Sequence, residues 1–322
     1  MNKNIVVSLS LLLASQTLLA SNLYVSTSGL GSDCLKSNPC ASIQQAVDIS
    51  SPGDVIHVAN GTYAENVSIG GPMNLNAKPG ITITGQSEKG TIVVSNGGKG
   101  MRPAGVLADI VFDVWSADVT IEKLSIIHPE ATPTKRDIGV FVGPPGANAT
   151  VQKCTIIRKR LGSSAELEPT MPGSRGVMVF RAPGSVITKN AIQGNYEDHI
   201  HMPTQLSEIT KNDINDARRL GIVIIQESLD SDSSGSIISK NNVSGSGSDG
   251  IQVQGDNNIV IKNKVTDSAG AGIKLCGIEE AGDCVLPFDA WSESSDNTVS
   301  KNQLNNNAVD IIDNGSNNIV SE

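Results

Sequence analysis

The chain has 322 residues and a formal net charge of −9, so a nucleic acid or an anionic membrane gains no electrostatic help from the surface as a whole. An anionic ligand needs a local basic patch. Hydrophobic residues make up 38% and aromatic residues 3%, which leaves a core of Val, Ile, Leu and Ala suited to thin, regularly stacked layers.

Residues 1–21, MNKNIVVSLSLLLASQTLLAS, combine a basic residue near the start, a mostly apolar run and a small-residue end, the build of a secretory signal. Cleavage after Ala20 or Ser21 removes Lys3 and takes the formal charge from −9 to −10. Asn22 stands where a lipoprotein signal needs Cys, so the expected destination is the periplasm or the outside of the cell, without a lipid anchor. No later run approaches the ~18 apolar residues that a membrane helix requires. Five cysteines in an exported chain fit two disulfides and one leftover thiol. Local pairing makes Cys34 with Cys40, and Cys276 with Cys284, the expected bridges. Cys154 falls inside a repeat, which predicts a buried free thiol, and no CxxC pair points to zinc.

After the signal, residues 22–322 are expected to form one domain, with residues 22–60 as an N-terminal cap. SIQQAVDIS places Ile43, Ala46, Val47 and Ile49 on one helical face, and Ser42 with Gln45 at capping-box spacing. This helix predicts a cover for the open end of a stack, SPGD stops it, and VIHVANGTYAENVSI begins the coils.

From about residue 119 the sequence repeats itself. The best register aligns Lys123, Lys153, Lys189, Lys211, Lys240, Lys262 and Lys301, with the shortest spacings equal to 22 residues. Two residues before the lysine stand Ile121, Val151, Ile187, Ile209, Ile238, Val260 and Val299. Three after it stand Ile126, Ile156, Ile192, Ile214, Val243, Val265 and Leu304. These apolar columns alternate with polar ones, as strands with one buried face require. A third strand follows a Gly and carries inward pairs such as Ile200/Met202 and Ile222/Ile224. Behind the lysine comes an Asn column, Asn190, Asn212, Asn241, Asn263 and Asn302. Asn tolerates a left-handed bend and its amides can stack along the axis, so this column is read as structural. Self-similarity at this period, with three short strands per coil, predicts an all-β, single-stranded right-handed parallel β-helix with an N-terminal capping helix.

The repeats NNIVIKNKVTDSAGAGIKL and SVITKNAIQGNYEDHIHM, and the opening LYVSTSGLGSDCLKSNPCASIQQAVDISSPGDVIHVANGTYAENVSI, resemble those of the pectin lyase-like superfamily. The resemblance spans essentially the whole mature chain. It implies the β-helix fold and leaves the chemistry open, because that superfamily includes polysaccharide lyases, glycoside hydrolases, uronate epimerases, tail spikes and adhesins.

The column ahead of the third strand reads Gly139, Gly176, His199, Gly221, Gly250 and Gly272, so His199 breaks a rule the chain otherwise keeps. The Gly preference predicts either a positive φ or close packing. Two positions on, His201 falls in the outward column and is expected to face solvent along a groove. Tyr196 and Asp198 complete a candidate catalytic set with His199 and His201, because imidazole, carboxylate and phenol together suit acid–base work. Arg175, Arg218, Arg219, Gln252 and Lys274 lie on neighbouring coils and are the candidate substrate-binding residues. Asp198 and Asp249 are the candidate ligands of a Ca²⁺ ion. His57 and His128 read as surface or loop residues. Insertions at 129–137, 161–174, about 226–235 and 277–294 would wall the groove.

Mannuronan epimerases and related lyases place His, Asp and Tyr on such a groove, and YEDHIH is similar in composition without reproducing their motif. The NTD, DD and GHG strings of polygalacturonases are absent. The resulting expectation is a lyase or C5-epimerase acting on an uronate-containing polysaccharide. Against it stand a non-catalytic β-helix module that binds a glycan or surface, and a purely structural exported solenoid. The sparse aromatic supply, Trp115, Trp291 and three tyrosines, favours these rivals, since sugar subsites use aromatic platforms.

Overall fold

A computed structural model describes residues 20–71, 76–97, 100–101, 107–129, 136–159, 173–226, 233–277, 284 and 294–321. The signal segment up to residue 19, Trp291 and most of the four insertions lie outside the described residues. Three parallel sheets of 11, 9 and 10 strands run the length of the molecule, and each coil contributes one short strand to each. Pairing is in register from coil to coil: Ile187 aligns with Ile209, Ile192 with Ile214 and Ile200 with Ile222. The chain is a right-handed parallel β-helix. The first sheet starts with Asn22–Val25 pairing with Val55–Val58, so coil stacking reaches back well before residue 119.

Alternation explains the core. Ile187, Ile209, Ile238, Ile192, Ile214, Val243, Ile200, Ile222 and Ile251 are fully buried in one continuous cluster. Each coil leaves its inward side chains without partners until the next coil covers them, which is why the repeats exist only as a stack. Helix Ile43–Ile49 packs against the first coils, with Ile43, Ala46 and Val47 buried. Ser42 Oγ accepts from the Gln45 N–H at 3.1 Å. The Gln45 amide turns away to the Gly31 carbonyl, and Ile49, expected on the packed face, is 45% exposed.

The Asn column forms a ladder. Asn190, Asn212, Asn241 and Asn263 each donate from Nδ2 to the Oδ1 of the Asn one coil on, at 3.0 to 3.1 Å. The same Oδ1 atoms accept the backbone N–H of the preceding Asn at 2.9 to 3.0 Å. A second ladder runs through Asn258, Asn297 and Asn318. The left-handed bend expected at the Asn falls instead one residue earlier. All seven lysines of the aligned column have φ between 54° and 59°. The Asn then keeps its amide in the interior, where it satisfies backbone groups that the turn would otherwise bury unpaired.

The Gly column answers to close packing, not to a positive φ. A Cβ at Gly221 would stand 2.4 Å from Val243 Cγ1 and 2.6 Å from the Gly250 carbonyl oxygen. Cys34 pairs with Cys40 and Cys276 with Cys284. Cys154 is free and buried, and burial pushes its thiol up to about 12. Among the described residues no helix is long and apolar enough to cross a membrane.

Asn241→Ala removes the acceptor of two Asn212 donors and the donor to the Ile209 carbonyl. It is expected to lower the unfolding free energy by about 2–4 kcal/mol, read from urea denaturation, because buried backbone groups lose their partners.

Candidate functional site

Residues 195–201 connect the second strand of a coil, Ala191–Gly194, to its third, Asp198–Met202. Tyr196, Asp198 and His199 have no exposed surface, and His201 is 2% exposed. His201 was expected to face solvent, and its outward column is instead closed over. Phe141, Val223 and Gln252 in that column are also fully buried, and Met178 is 1% exposed.

Asp198 is the centre of a charge cluster. Its Oδ2 lies 3.1 Å from Arg175 Nε, 3.0 Å from His201 Nδ1 and 3.0 Å from Arg219 Nη2, while Arg219 Nε donates to Oδ1 at 3.1 Å. Burial works to raise the Asp198 pKa. Arg175, the His201 hydrogen bond and Arg219 outweigh it and hold the carboxyl well below the usual carboxylate range. Glu197 braces the same guanidinium groups, accepting from Arg175 Nη1 at 3.0 Å and facing Arg219 Nε at 3.3 Å.

His199 points away from this cluster and back into its own turn. Its Nε2 is 3.0 Å from the Gly194 carbonyl oxygen, and its ring meets Tyr196 edge-on at 6.0 Å between centroids. Burial holds its pKa down at about 4. The Tyr196 hydroxyl meets His128 Nδ1 at 3.0 Å, and burial pushes the phenol well above its ordinary range. His128, expected at the surface, is 1% exposed, with Nε2 3.3 Å from the Asp109 carbonyl oxygen. Beside it Arg158 Nε donates to Asp137 at 2.7 Å and Nη1 to the Asn195 carbonyl at 2.6 Å. The structure therefore splits the expected catalytic set. Asp198 and His201 share one hydrogen bond on the outer side of the third sheet, and Tyr196 and His199 belong to an interior network.

Arg175 and Arg219 join Asp198 as the sequence placed them, but as its ion-pair partners. Arg218 and Lys274 are half-buried, and Gln252 is buried. Asp198 and Asp249, the expected Ca²⁺ ligands, are engaged separately: Asp249 lies two coils beyond Asp198, and the Asp198 carboxylate is taken up by Arg175, His201 and Arg219. The Asp249 Oδ1 also accepts the Ala271 N–H at 2.7 Å.

Two groupings escaped sequence reading. Asp109, His128 and Asp137 bring ligand atoms within 4.8 Å of one another. They come from strands Leu107–Val114, Ser125–His128 and Asp137–Val142, so no local motif could announce them. Asp113, in the outward column of the third sheet, has its pKa raised by burial to about 7 against a hydrogen bond from Trp115. It stands three coils before His201, about 14 Å at the strand spacing, too far to share one sugar linkage with it.

Residues 143–321, more than half of the chain, match the family model for periplasmic copper-binding protein (NosD). The chain belongs to this family. No curated protein matches it. Among solved structures, this NosD-family chain is similar to the alginate lyase from Paenibacillus sp. str. FPU-7, at 14% identity, covering 90% of this chain and 99% of that one with a TM-score of 0.52. It is also similar to the Dettilon tailspike protein (gp208), at 17% identity, covering 87% of this chain and 50% of that one with a TM-score of 0.54. At these identities the likeness is one of fold, the parallel β-helix.

His199→Gly removes a buried ring that packs on Tyr196. It is expected to destabilise the fold by about 2–4 kcal/mol, measured by urea denaturation. The pH dependence follows from the depressed His199 pKa of about 4 against its ordinary 6.5. Between these values the unfolded chain binds more protons, so stability rises with pH across the window and is lost as pH falls from 6.5 towards 4. The loss attributable to His199 is about 3 kcal/mol, and a His199→Gln variant should show a correspondingly flatter profile.

Proposed function

We propose that this NosD-family chain is an exported, non-catalytic β-helix module that binds an acidic polysaccharide. One observation carries the reading: the four residues best suited to acid–base chemistry are buried, with Asp198 and His201 paired to each other and to arginines, Tyr196 to His128, and His199 Nε2 to the Gly194 carbonyl. A general base has to come within about 3 Å of the proton it removes. Tyr196 and His199 have no exposed surface, and an imidazole with a pKa of about 4 is a weak base at neutral pH. These facts weigh against β-elimination or C5 epimerisation at this band, the lyase or epimerase reading drawn from the sequence. The polysaccharide is supported by a solved structure of the same fold that is named for acting on such a polymer, the alginate lyase.

Copper, which stands in the family's description, does not fit the one metal-like cluster among the described residues. Its donors are two carboxylates and a single imidazole, a set with no thiolate or thioether for Cu(I). The Asp137 carboxylate is held by Arg158, Ser95 donates to both oxygens of Asp109, and both His128 nitrogens have partners. A copper ion here would also leave the buried Arg158 guanidinium facing another cation. Export to the periplasm accords with the family and with two disulfides.

The test incubates the mature protein with alginate, polygalacturonate and glycosaminoglycans, with and without Ca²⁺. Expected are no absorbance gain near 235 nm, no change in uronate ratios by proton NMR, and measurable binding in affinity electrophoresis. Unsaturated ends or altered uronate ratios from any of these polymers would overturn the non-catalytic reading.

A further inference from the structure

The aligned lysines make a ridge. Lys123, Lys153, Lys189, Lys211, Lys240, Lys262 and Lys301 each follow a strand of the first sheet, and those strands are consecutive neighbours in it. Seven ammonium groups therefore stand one per coil along a corner of the solenoid, spanning about 29 Å at the strand spacing. The last five are exposed, and the first two are half-buried. The flanking columns add the acids Glu122, Glu208 and Asp213 and a further cation, Lys264, so the ridge stays net positive on a chain of charge −9. Among the described residues the ridge lysines form one ion pair, Lys123 with Glu122.

Lysine is a costly residue for this position. Every member of the column has a left-handed backbone, which costs an L-residue roughly 1 kcal/mol or more and which Gly and Asn adopt most readily. The turns entering the first sheet mostly follow that preference, with left-handed Asp118, Asn148, Gly184, Gly235, Asn257, Asp296 and Asn317, and Leu206 as the exception. In the seven coils from residue 120 to 300, the turn leaving the sheet carries Lys each time. Backbone sterics do not account for a lysine in each of these turns, and its charge and length are what the seven positions share.

At its N-terminal end the ridge runs into a groove. Lys123 and Glu122 line an open depression of about 660 Å³ on the outer face of the first sheet, shared with Tyr24, His57, Lys36 and Gln86. The Tyr24 and His57 rings stack at 5.1 Å with their planes 21° apart, and Lys36 Nζ lies 6.0 Å from the Tyr24 ring centre. Both rings are partly exposed. The stacked rings cover each other's faces and leave an apolar edge flanked by ammonium groups, which suits the apolar rim and the carboxylate of an uronate ring.

We propose that ridge and groove form one binding track, on which an extended acidic polysaccharide lies along the solenoid axis with carboxylates over the lysines and one sugar ring against the edge of the stacked Tyr24–His57 pair. The proposal rests on the polysaccharide-binding reading above and gives it a location, away from the buried band on the third sheet. The rise between lysines, about 4.8 Å, is close to the length of one pyranose residue in an extended chain. Duplex DNA sets a charge every ~3.4 Å on each strand, out of step with the ridge, and its density of charge is opposed by the acidic remainder of the surface.

The experiment compares wild-type protein with the triple variant Lys189→Asn, Lys211→Asn, Lys240→Asn and with Tyr24→Ala, by titration with polygalacturonate and alginate oligomers at several salt concentrations. Dextran is the neutral control and single-stranded DNA the alternative polyanion. Asn suits the left-handed backbone, so the triple variant should fold with unchanged or higher urea resistance. Expected are binding about tenfold weaker in the triple variant, a shallower salt dependence, weaker binding in Tyr24→Ala, and no dextran binding. Triple-variant affinity within twofold of wild type would overturn the track while leaving the polysaccharide reading in place. No wild-type binding to any acidic polysaccharide would overturn both. Single-stranded DNA bound as tightly as polygalacturonate would overturn the assignment of partner class.

Discussion

The structure depends on coil-to-coil closure. A single coil of three short strands can bury neither its inward side chains nor its own turn amides, and both are supplied by the next coil at the strand spacing. The Asn ladders do the second part. Each Asn side chain uses Oδ1 to accept two donors from one neighbouring coil and Nδ2 to bridge back to a strand carbonyl. Because every ladder member serves its neighbours, the register of the stack is fixed by hydrogen bonds as well as by the apolar columns. That register decides which residues share a face and which are held coils apart.

The same closure changes the meaning of the polar residues near 196–201. Placing Asp198 among Arg175, His201 and Arg219 compensates a buried carboxylate by several directed contacts, the condition under which burial of charge is tolerable. Tyr196 and His128 complete each other in the interior, and His199 borrows the Gly194 carbonyl. The groups hold the junction of the second and third strands and the contact between three coils. Their pKa shifts follow from desolvation and paired charge, which structural networks produce as readily as active sites do.

The proposed binding track lies on the first sheet, away from the buried band on the third. The inside of the helix is saturated, and the outer column of the third sheet is closed over from Phe141 to Gln252. Among the described residues, a line of cations at the repeat of the scaffold and the groove into which it opens stay accessible to a ligand. A solenoid is suited to this arrangement, because a single residue repeated once per coil becomes a linear array without further design.

The sequence by itself determined the β-helix, the strand columns, the stacked Asn residues, the helix N-cap at Ser42 and both disulfide pairs, because period and local spacing specify each of them. Lys123 to Lys301 were aligned there too, although only the backbone angles revealed that the left-handed residue is the lysine and not the Asn after it. Side-chain direction was not legible. His199 and His201 alternate in sequence, yet one turns into the coil and the other into an ion-pair cluster, since a turn residue follows whichever carbonyl or charge lies within reach. Tertiary structure alone decided that His128 meets Tyr196 across 68 residues and that Asp198 and Asp249 stand two coils apart. It likewise brought Tyr24, His57 and Lys123 into one groove. Those relations join residues far apart in the chain, and they exist only once the coils are stacked.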